Sequence, residues 1–112
     1  MDPRVQRSIE TMNEQLHRRL TVSELADRVG LSVAQLTRLF RDATGTTPAA
    51  FLHGLRMERA RLLLERTSLT VHQVMTQVGI SDRSHFARGF MRAYGYSPRR
   101  FRLGRLAVGP RG

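Results

Sequence analysis

The sequence predicts an all-α protein of about seven helices, in which a central linker helix joins two helix-turn-helix subdomains. Apolar residues recur at steps of three and four, Ser, Thr and Gly bound the short apolar segments, and a pattern of about thirty residues occurs twice, 49 or 50 positions apart. We expect one domain over residues 1–112, divided into a first lobe at 4–46, a linker helix at 47–66, a second lobe at 67–103 and a flexible tail at 104–112.

The composition excludes several classes of protein. The chain has 112 residues, 40% of them hydrophobic, which suffices for one domain or two very small lobes. It contains no cysteine, so disulfides and thiolate metal sites are excluded. No apolar run approaches the roughly 20 residues that span a bilayer. No signal-peptide core follows the first methionine, so we expect a cytoplasmic protein.

The formal net charge of +10 indicates a polyanionic partner, although charge alone does not separate DNA, RNA and an acidic membrane surface. Residues 1–66 contain eleven arginines and eight acidic residues, whereas residues 67–112 contain eight arginines and one acidic residue. The second half is therefore the more basic. All nineteen basic residues are arginine, which favours bidentate contacts with phosphate or guanine, but a compositional bias of the coding sequence explains it equally well.

A first amphipathic helix is predicted over residues 4–20, opened by Asp2 and Pro3. Its apolar stripe is formed by Val5, Ile9, Met12, Leu16 and Leu20. We expect this stripe to cover the first lobe, because Glu10 and Glu14 on the polar side disfavour a helix that lies on a membrane surface.

Two short helices separated by a glycine come next. Thr21 and Glu24 form a predicted capping box at the start of the first, and Gly30 ends it. Ser32 is expected to cap the second helix and Gly45 to end it. The inward residues of the second helix are Leu36, Leu39 and Phe40. A short helix, a glycine turn and a second helix are the helix-turn-helix pattern.

The linker helix is predicted over residues 47–66. Thr47 can cap it, and Pro48 suits a first turn because the N–H missing there has no helical partner anyway. Gly54 is its weak point. Such a helix is roughly 28 Å long, so we expect it to hold two recognition helices nearly one DNA turn apart, a spacing of roughly 34 Å.

The first helix-turn-helix pattern is then repeated. Thr70 and Gln73 occupy the positions equivalent to Thr21 and Glu24. Residues 78–81 are likewise equivalent to residues 29–32, and the offset is 49 in each case. One residue is added within residues 82–84, so the offset becomes 50 for the second helix and for the Gly, Pro and Phe that follow it. So many coincident positions indicate an internal duplication.

The second helix of each unit carries the candidate binding residues, since its exposed N-terminal half can enter a major groove while the first helix braces it. The candidates for base contacts are Val33, Ala34, Thr37 and Arg38 in the first unit and Arg83, Ser84, His85, Ala87 and Arg88 in the second. The small and apolar members suit thymine methyl groups, and the arginines suit guanine edges.

Phosphate contacts are expected from basic side chains and from residues that cap helix N-termini, where free N–H groups can bind a phosphate. These candidates are Thr21, Ser32, Arg41, Thr70, Ser81, Arg92, Arg102 and Arg105. For any single residue, a solvated helix face is the alternative explanation. Because the two equivalent positions of the repeats are both arginine, Arg38 and Arg88, contact with DNA is favoured over a solvated helix face at these two residues.

Catalysis is not predicted. The four histidines lack the spacing of metal ligands, no glycine-rich phosphate loop is present, and no paired carboxylates are evident. We therefore expect no catalytic residues, no metal and no cofactor. Four methionines are expected to fill the core: Met12, Met57, Met75 and Met91.

Three stretches carry a family resemblance: A-D-R-V-G-L-S-x-x-x-L-x-R-L-F-R-x-x-x-G-x-x-P at residues 26–48, R-M-x-x-A-R-x-L-L at residues 56–64, and V-G-I-S-D-x-S-x-F-x-R-x-F-x-x-x-x-G-x-S-P-x-x-F-R at residues 78–102. They resemble the DNA-binding domain of the AraC/XylS family of bacterial transcription regulators. The resemblance implies seven helices in two lobes, whose recognition helices enter successive major grooves of one duplex. It places the base-reading positions on Ala34, Thr37, Arg38, Arg83, Ser84, Ala87 and Arg88.

The resemblance also implies partners and a biological role. In that family the domain usually activates promoters by touching RNA polymerase and usually follows an effector-binding or dimerising domain. We expect the isolated domain to be a monomer, and the sequence leaves open whether it is a free-standing short member or part of a longer dimeric regulator. A basic RNA-binding protein or a protein-interaction module is the alternative, although RNA recognition favours exposed aromatic residues and only 6% of the chain is aromatic.

The sequence departs from the family pattern in its second unit. Met75 replaces the small residue that Ala26 provides in the first unit, and Ile80 replaces the usual aromatic. Both substitutions predict altered packing in the second lobe.

Overall fold

Seven helices make up the fold in the computed structural model, which describes the backbone of residues 1–108 and the side chains of residues 1–104. They are α1 (Pro3–Glu14), α2 (Val22–Arg28), α3 (Val33–Thr44), α4 (Pro48–Arg66), α5 (Val71–Gln77), α6 (Arg83–Tyr94) and α7 (Pro98–Val108). No strand occurs among residues 1–108. The predicted all-α class and helix number are confirmed.

The helices form two compact units, and the division falls inside α4, after Arg56. Leu52 belongs to the core of unit 1, whereas Met57, Ala60 and Leu64 belong to the core of unit 2. The central helix therefore contributes buried side chains to both units, one half to each. This differs from the predicted division, in which residues 47–66 were a linker separate from the two lobes.

Unit 1 is built around residues from α1 to α4. Phe40 of α3 is fully buried, and its ring meets Phe51 of α4 edge to face with centroids 5.5 Å apart. Leu25 of α2 and Leu36 of α3 are also buried. Burial of each such side chain contributes about 1.5–3 kcal/mol, so the spacing of apolar residues fixes which face of each helix turns inward.

The first helix is shorter than predicted. It ends at Glu14, where the N–H of Gln15 bonds to the carbonyl of Thr11. Leu16 and Leu20 lie beyond the helix, yet both are buried in the same core. The apolar stripe thus continues into a loop, which explains why periodicity alone overestimated the length of the helix.

Arg56 holds this loop in place. Its Nη2 donates to the carbonyl oxygen of Arg18 at 2.9 Å, and burial lowers the pKa of its guanidinium. The side chain of Arg56 is half-buried. A long arginine stem can cover apolar surface while its head bonds to a backbone carbonyl, and this is the role it takes here.

Two helix caps differ in detail from the prediction, and a third agrees with it. Thr21 accepts a hydrogen bond from the N–H of Glu24 at 3.1 Å, without the reciprocal bond of a full capping box. The full box occurs at Ser32, whose partner is Gln35, and the box predicted at Thr70 is confirmed. Each box satisfies two N–H groups that have no partner within the helix.

Ser81 does not cap α6, contrary to the prediction. The cap is Asp82, whose Oδ1 accepts from the N–H of His85 at 2.9 Å. The reason is the added residue in the second repeat: at the offset of 50 that holds for α6, the equivalent of Ser32 is Asp82. Gly45 and Gly95 end α3 and α6 in the left-handed conformation, as predicted, with φ of 78° and 80°.

Unit 2 has an aromatic core. The ring of Phe90 lies 4.9 Å from Tyr94, 5.7 Å from Phe101 and 6.0 Å from Phe86, centroid to centroid. Met75 and Ile80, the two departures from the family pattern, are both buried in this core. Met91 was expected to fill the core as well, but it is 47% exposed. Helix geometry turns it about 100° away from the buried Phe90.

The final helix is longer than the predicted second lobe. Helix α7 continues to Val108, so it includes residues 104–108, which were predicted to belong to the tail. The remaining tail residues, 109–112, lie outside the described part of the chain.

Arg102 on α7 bonds to the end of α4. Its guanidinium donates to the carbonyl oxygens of Leu69, of Thr67 at 3.3 Å and of Leu64 at 3.5 Å. Carbonyls at a helix C-terminus lack helical partners, and a half-buried arginine satisfies them here. These bonds would compete with the phosphate contact predicted for Arg102.

Replacing Arg102 by methionine is expected to lower the free energy of unfolding by about 1–2 kcal/mol, since it leaves half-buried carbonyls without a charged donor. Urea unfolding of the chain measures the change. Arg100→Met is the matched control, because Arg100 is exposed on the same helix and its loss should cost less than about 0.5 kcal/mol. Equal losses for the two variants would contradict the capping role of Arg102.

Candidate nucleic-acid interface

The first recognition helix, α3, presents its N-terminal half to solvent. Leu36 and Phe40 are fully buried, and these two anchors fix the rotation of the helix. Of the predicted residues, Val33, Ala34, Arg38 and Arg41 are exposed, and Thr37 is half-buried. Val33 is 44% exposed, an apolar side chain at the helix start that can contact a thymine methyl group.

The second recognition helix, α6, is arranged in the same way. Phe86, Gly89 and Phe90 are buried. The predicted residues Arg83, Ser84, His85, Arg88 and Arg92 are exposed, and Ala87 is half-buried. None of the base-contact candidates that the sequence assigned to the second unit is buried in the core of this unit.

The arginines on these faces form no ion pair with an acidic side chain among the residues whose side chains are described. The ion pairs of the residues whose side chains are described join Arg4 to Asp2, and Arg61 to Glu58 and Glu65. Arg38, Arg83 and Arg88 form none among those residues. A guanidinium in this state can offer its five donors to a phosphate or to a guanine edge.

Asp82 is an exposed acidic residue at the start of α6. A hydrogen bond from the backbone N–H of His85 is the main cause that lowers the pKa of its carboxyl, and desolvation opposes it. The N–H of Ser84 and the positive charge of Arg88 lower that pKa further. The carboxylate is therefore ionised at neutral pH and lies at the start of the helix that presents Arg83 and Arg88.

The C-terminal end of α6 is held to α4 within unit 2. The hydroxyl of Tyr94 donates to Glu58 Oε2 at 3.4 Å, and the guanidinium of Arg61 lies 5.9 Å from the Tyr94 ring centroid. Arg61 in turn bonds to Glu58 at 2.9 Å and to Glu65 at 3.1 Å. A hydrogen bond from Arg61 lowers the pKa of Glu58, and burial raises the pKa of Tyr94.

The remaining phosphate candidates occupy several positions. Thr21, Ser32, Thr70 and Ser81 are exposed, and all except Ser81 cap a helix. Arg102 bonds to carbonyls as described above, and the side chain of Arg105 lies outside the described residues.

Sequence reasoning missed one exposed pair of arginines. Arg99 and Arg100 lie in the first turn of α7, where the Ser97 hydroxyl accepts from the N–H of Arg100 at 3.1 Å. Their equivalents in the first repeat, at the start of α4, are Ala49 and Ala50. This difference between the repeats was visible in the sequence and could have identified the pair.

The described part of the chain contains neither a candidate metal site nor a candidate membrane-spanning helix. Within the described part of the chain, no group of His, Asp and Glu side chains has the arrangement of a metal site. The helices found there include none with the length and apolarity needed to cross a bilayer.

A helix-turn-helix architecture of this kind occurs in known proteins. A family model described as a helix-turn-helix domain matches residues 25–104. The HTH-type transcriptional activator RhaS of Escherichia fergusonii is 34% identical over 106 residues, which cover 95% of this chain and 38% of that protein. The chain thus spans about two fifths of the length of this relative.

Two solved structures resemble the chain over nearly all of its length. The DNA-binding domain of AdpA, a global transcriptional factor solved in complex with a target DNA, is 30% identical with a TM-score of 0.91, and the match covers 100% of both chains. A transcriptional regulator from Chromobacterium violaceum, described as having an AraC-type DNA-binding domain, is 32% identical with a TM-score of 0.83, covering 96% of both. The chain therefore belongs to the AraC/XylS family of helix-turn-helix DNA-binding domains.

Proposed function

We propose that the chain is the sequence-specific, double-stranded DNA-binding part of a bacterial transcription regulator, and that α3 and α6 enter successive major grooves of one duplex. One observation carries the proposal: Arg38 and Arg88, equivalent in the two repeats, are both exposed on helices whose opposite faces are fully buried. A duplicated, outward arginine on a braced helix suits guanine recognition in a major groove. The likeness to the AdpA domain, solved with its target DNA, supports it.

The residues of the two helices have different roles in this proposal. Arg38, Arg83 and Arg88 donate to guanine edges, and Val33, Ala34 and Thr37 contact thymine methyl groups. Ser84, His85 and Ala87 complete the surface of α6 that faces the bases. Phosphate contacts come from exposed groups around the helices: Thr21, Ser32, Arg41, Thr70, Ser81, Arg92 and, beyond the sequence prediction, Arg99 and Arg100.

The role in transcription is a further part of the proposal. The relative RhaS is named a transcriptional activator, which supports activation and, with it, contact with RNA polymerase. Because the chain spans about two fifths of that relative, an effector-binding or dimerising segment belongs to the same proposal, with the domain itself monomeric. DNA-directed regulation places the protein in the bacterial cytoplasm, and the function requires no catalysis and no cofactor.

Selection of binding duplexes from a random pool, at stated salt, tests the proposed function. We expect the selected sites to share two short conserved blocks about one helical turn apart, one block for each recognition helix. Binding to such a duplex should resist an excess of scrambled DNA and of RNA. Enrichment of no sequence, or displacement by RNA as effective as by the selected duplex, would refute the proposal and favour a general polyanion-binding protein.

A further inference from the structure

Asp82 is the only acidic residue after residue 66, in a part of the sequence with eight arginines. It lies at the start of α6, immediately before the exposed Arg83. The equivalent residue at the start of α3 is Ser32, which is uncharged. The two recognition helices therefore begin with caps that differ by one negative charge.

Capping alone does not require this charge. Ser32 Oγ accepts from the N–H of Gln35 at 3.1 Å, and Asp82 Oδ1 accepts from the N–H of His85 at 2.9 Å. Both oxygens satisfy the third N–H of their helix, and serine and aspartate are about equally good at this position. The carboxylate of Asp82 is exposed, so its charge acts on whatever approaches the helix start.

A helix N-terminus is a favourable place for a DNA phosphate, because its N–H groups and its dipole attract an anion. Arg83 adds a positive charge at the start of α6. Such a helix would bind the backbone of any duplex, and binding of this kind does not depend on sequence. A carboxylate at the same point repels a phosphate, whereas base edges in the major groove carry no full negative charge.

We propose that Asp82 is a specificity-determining residue that acts by repulsion. Its carboxylate disfavours binding of α6 to DNA phosphates. Helix α6 therefore adds affinity mainly at sites where Arg83 and Arg88 can bind their target bases. The inference rests on the proposed function and refines it. Discrimination between partners can come from a group that penalises the wrong complex as well as from groups that favour the right one. Helix α3, with its neutral cap, keeps the ability to anchor on phosphate.

Two variants remove the charge and keep an oxygen acceptor for the N–H of His85: Asp82→Asn and Asp82→Ser. Dissociation constants are measured for a selected duplex and for a scrambled duplex of equal length, at three salt concentrations. We expect both variants to bind the scrambled duplex about threefold to tenfold more tightly. The affinity for the selected duplex should increase by a smaller factor. The ratio of the dissociation constant of the scrambled duplex to that of the selected duplex should therefore fall. The salt dependence of scrambled binding should steepen by up to about one unit.

Ser32→Asp is the reciprocal variant, which places a carboxylate at the start of α3. It should weaken binding to the scrambled duplex by a similar factor, and circular dichroism should show unchanged helix content in all three variants. An unchanged or increased ratio in both Asp82 variants would overturn the inference. Tighter scrambled binding by Asp82→Asn alone would also overturn it, because the new amide and not the lost charge would be responsible. Absence of any preference in the unmodified chain would instead refute the proposed function.

Discussion

Replacing Arg88 by alanine is expected to weaken binding to the selected duplex by about 1–3 kcal/mol and to relax discrimination at one or two base pairs. Arg88 is exposed on α6, while Phe86 and Phe90 hold the opposite face of that helix in the core. The free energy of unfolding should change by less than about 0.5 kcal/mol, since the side chain is exposed. The substitution should therefore reduce DNA affinity and sequence discrimination without a large change in stability.

A repeated selection of random duplexes with the Arg88→Ala variant measures the change in sequence preference, and titration gives the affinity. Arg59→Ala is the matched control, because Arg59 is exposed on α4 and belongs to no predicted contact with DNA. This substitution removes the same charge as Arg88→Ala. It should lower affinity for selected and scrambled duplexes alike. An Arg88→Ala variant with the sequence profile of the unmodified chain would exclude a base-reading role for Arg88.

Substitution of Gly54 by proline is expected to cost about 3 kcal/mol or more in the free energy of unfolding. Gly54 lies inside α4, where proline removes a backbone N–H and its ring clashes with the carbonyl of Ala50. Affinity for a duplex with both half-sites should fall by about a hundredfold, because two linked binding units gain affinity from their connection. Unfolding by urea and titration of the duplex measure the two effects.

The alanine variant at the same position is the control. A Cβ at Gly54 would meet no atom within 4 Å, so alanine fits without displacement of neighbours. Gly54→Ala should raise the free energy of unfolding by about 0.5–1 kcal/mol, because glycine is a poor helix former. Full duplex affinity in the proline variant would show that continuity of α4 is not needed for joint binding.

The helices were predictable because their signals are local. Ser32, Thr70 and the left-handed glycines Gly45 and Gly95 lie within a few residues of the groups they satisfy. The error at Ser81 has a local cause too, since the added residue in the second repeat left two candidates for the cap. The pattern of apolar residues in the first helix continued into a loop, so the sequence alone did not reveal that the helix ends at Glu14.

The roles of Arg56 and Arg102 could not be derived from neighbouring residues. Arg56 bonds to the carbonyl of a residue 38 positions earlier, and Arg102 to carbonyls 33 to 38 positions earlier. The sequence around a basic residue on a helix does not indicate that its side chain bonds to such a distant backbone carbonyl. The outward residues of α3 and α6 were predictable because two buried anchors in each helix fix its rotation. Their individual base and phosphate contacts stay predictions.

The division of the chain inside α4 limits where the protein can be cut or recombined. A fragment that starts at Thr67 would lack Met57, Ala60 and Leu64, which are three of the nine core residues of unit 2 among the described side chains. A fragment that stops at Thr47 would lack Leu52 in the same way. Chimaeras that exchange one unit with a relative should therefore be joined beside Arg56, in the middle of a helix, and not in either of the loops that flank it.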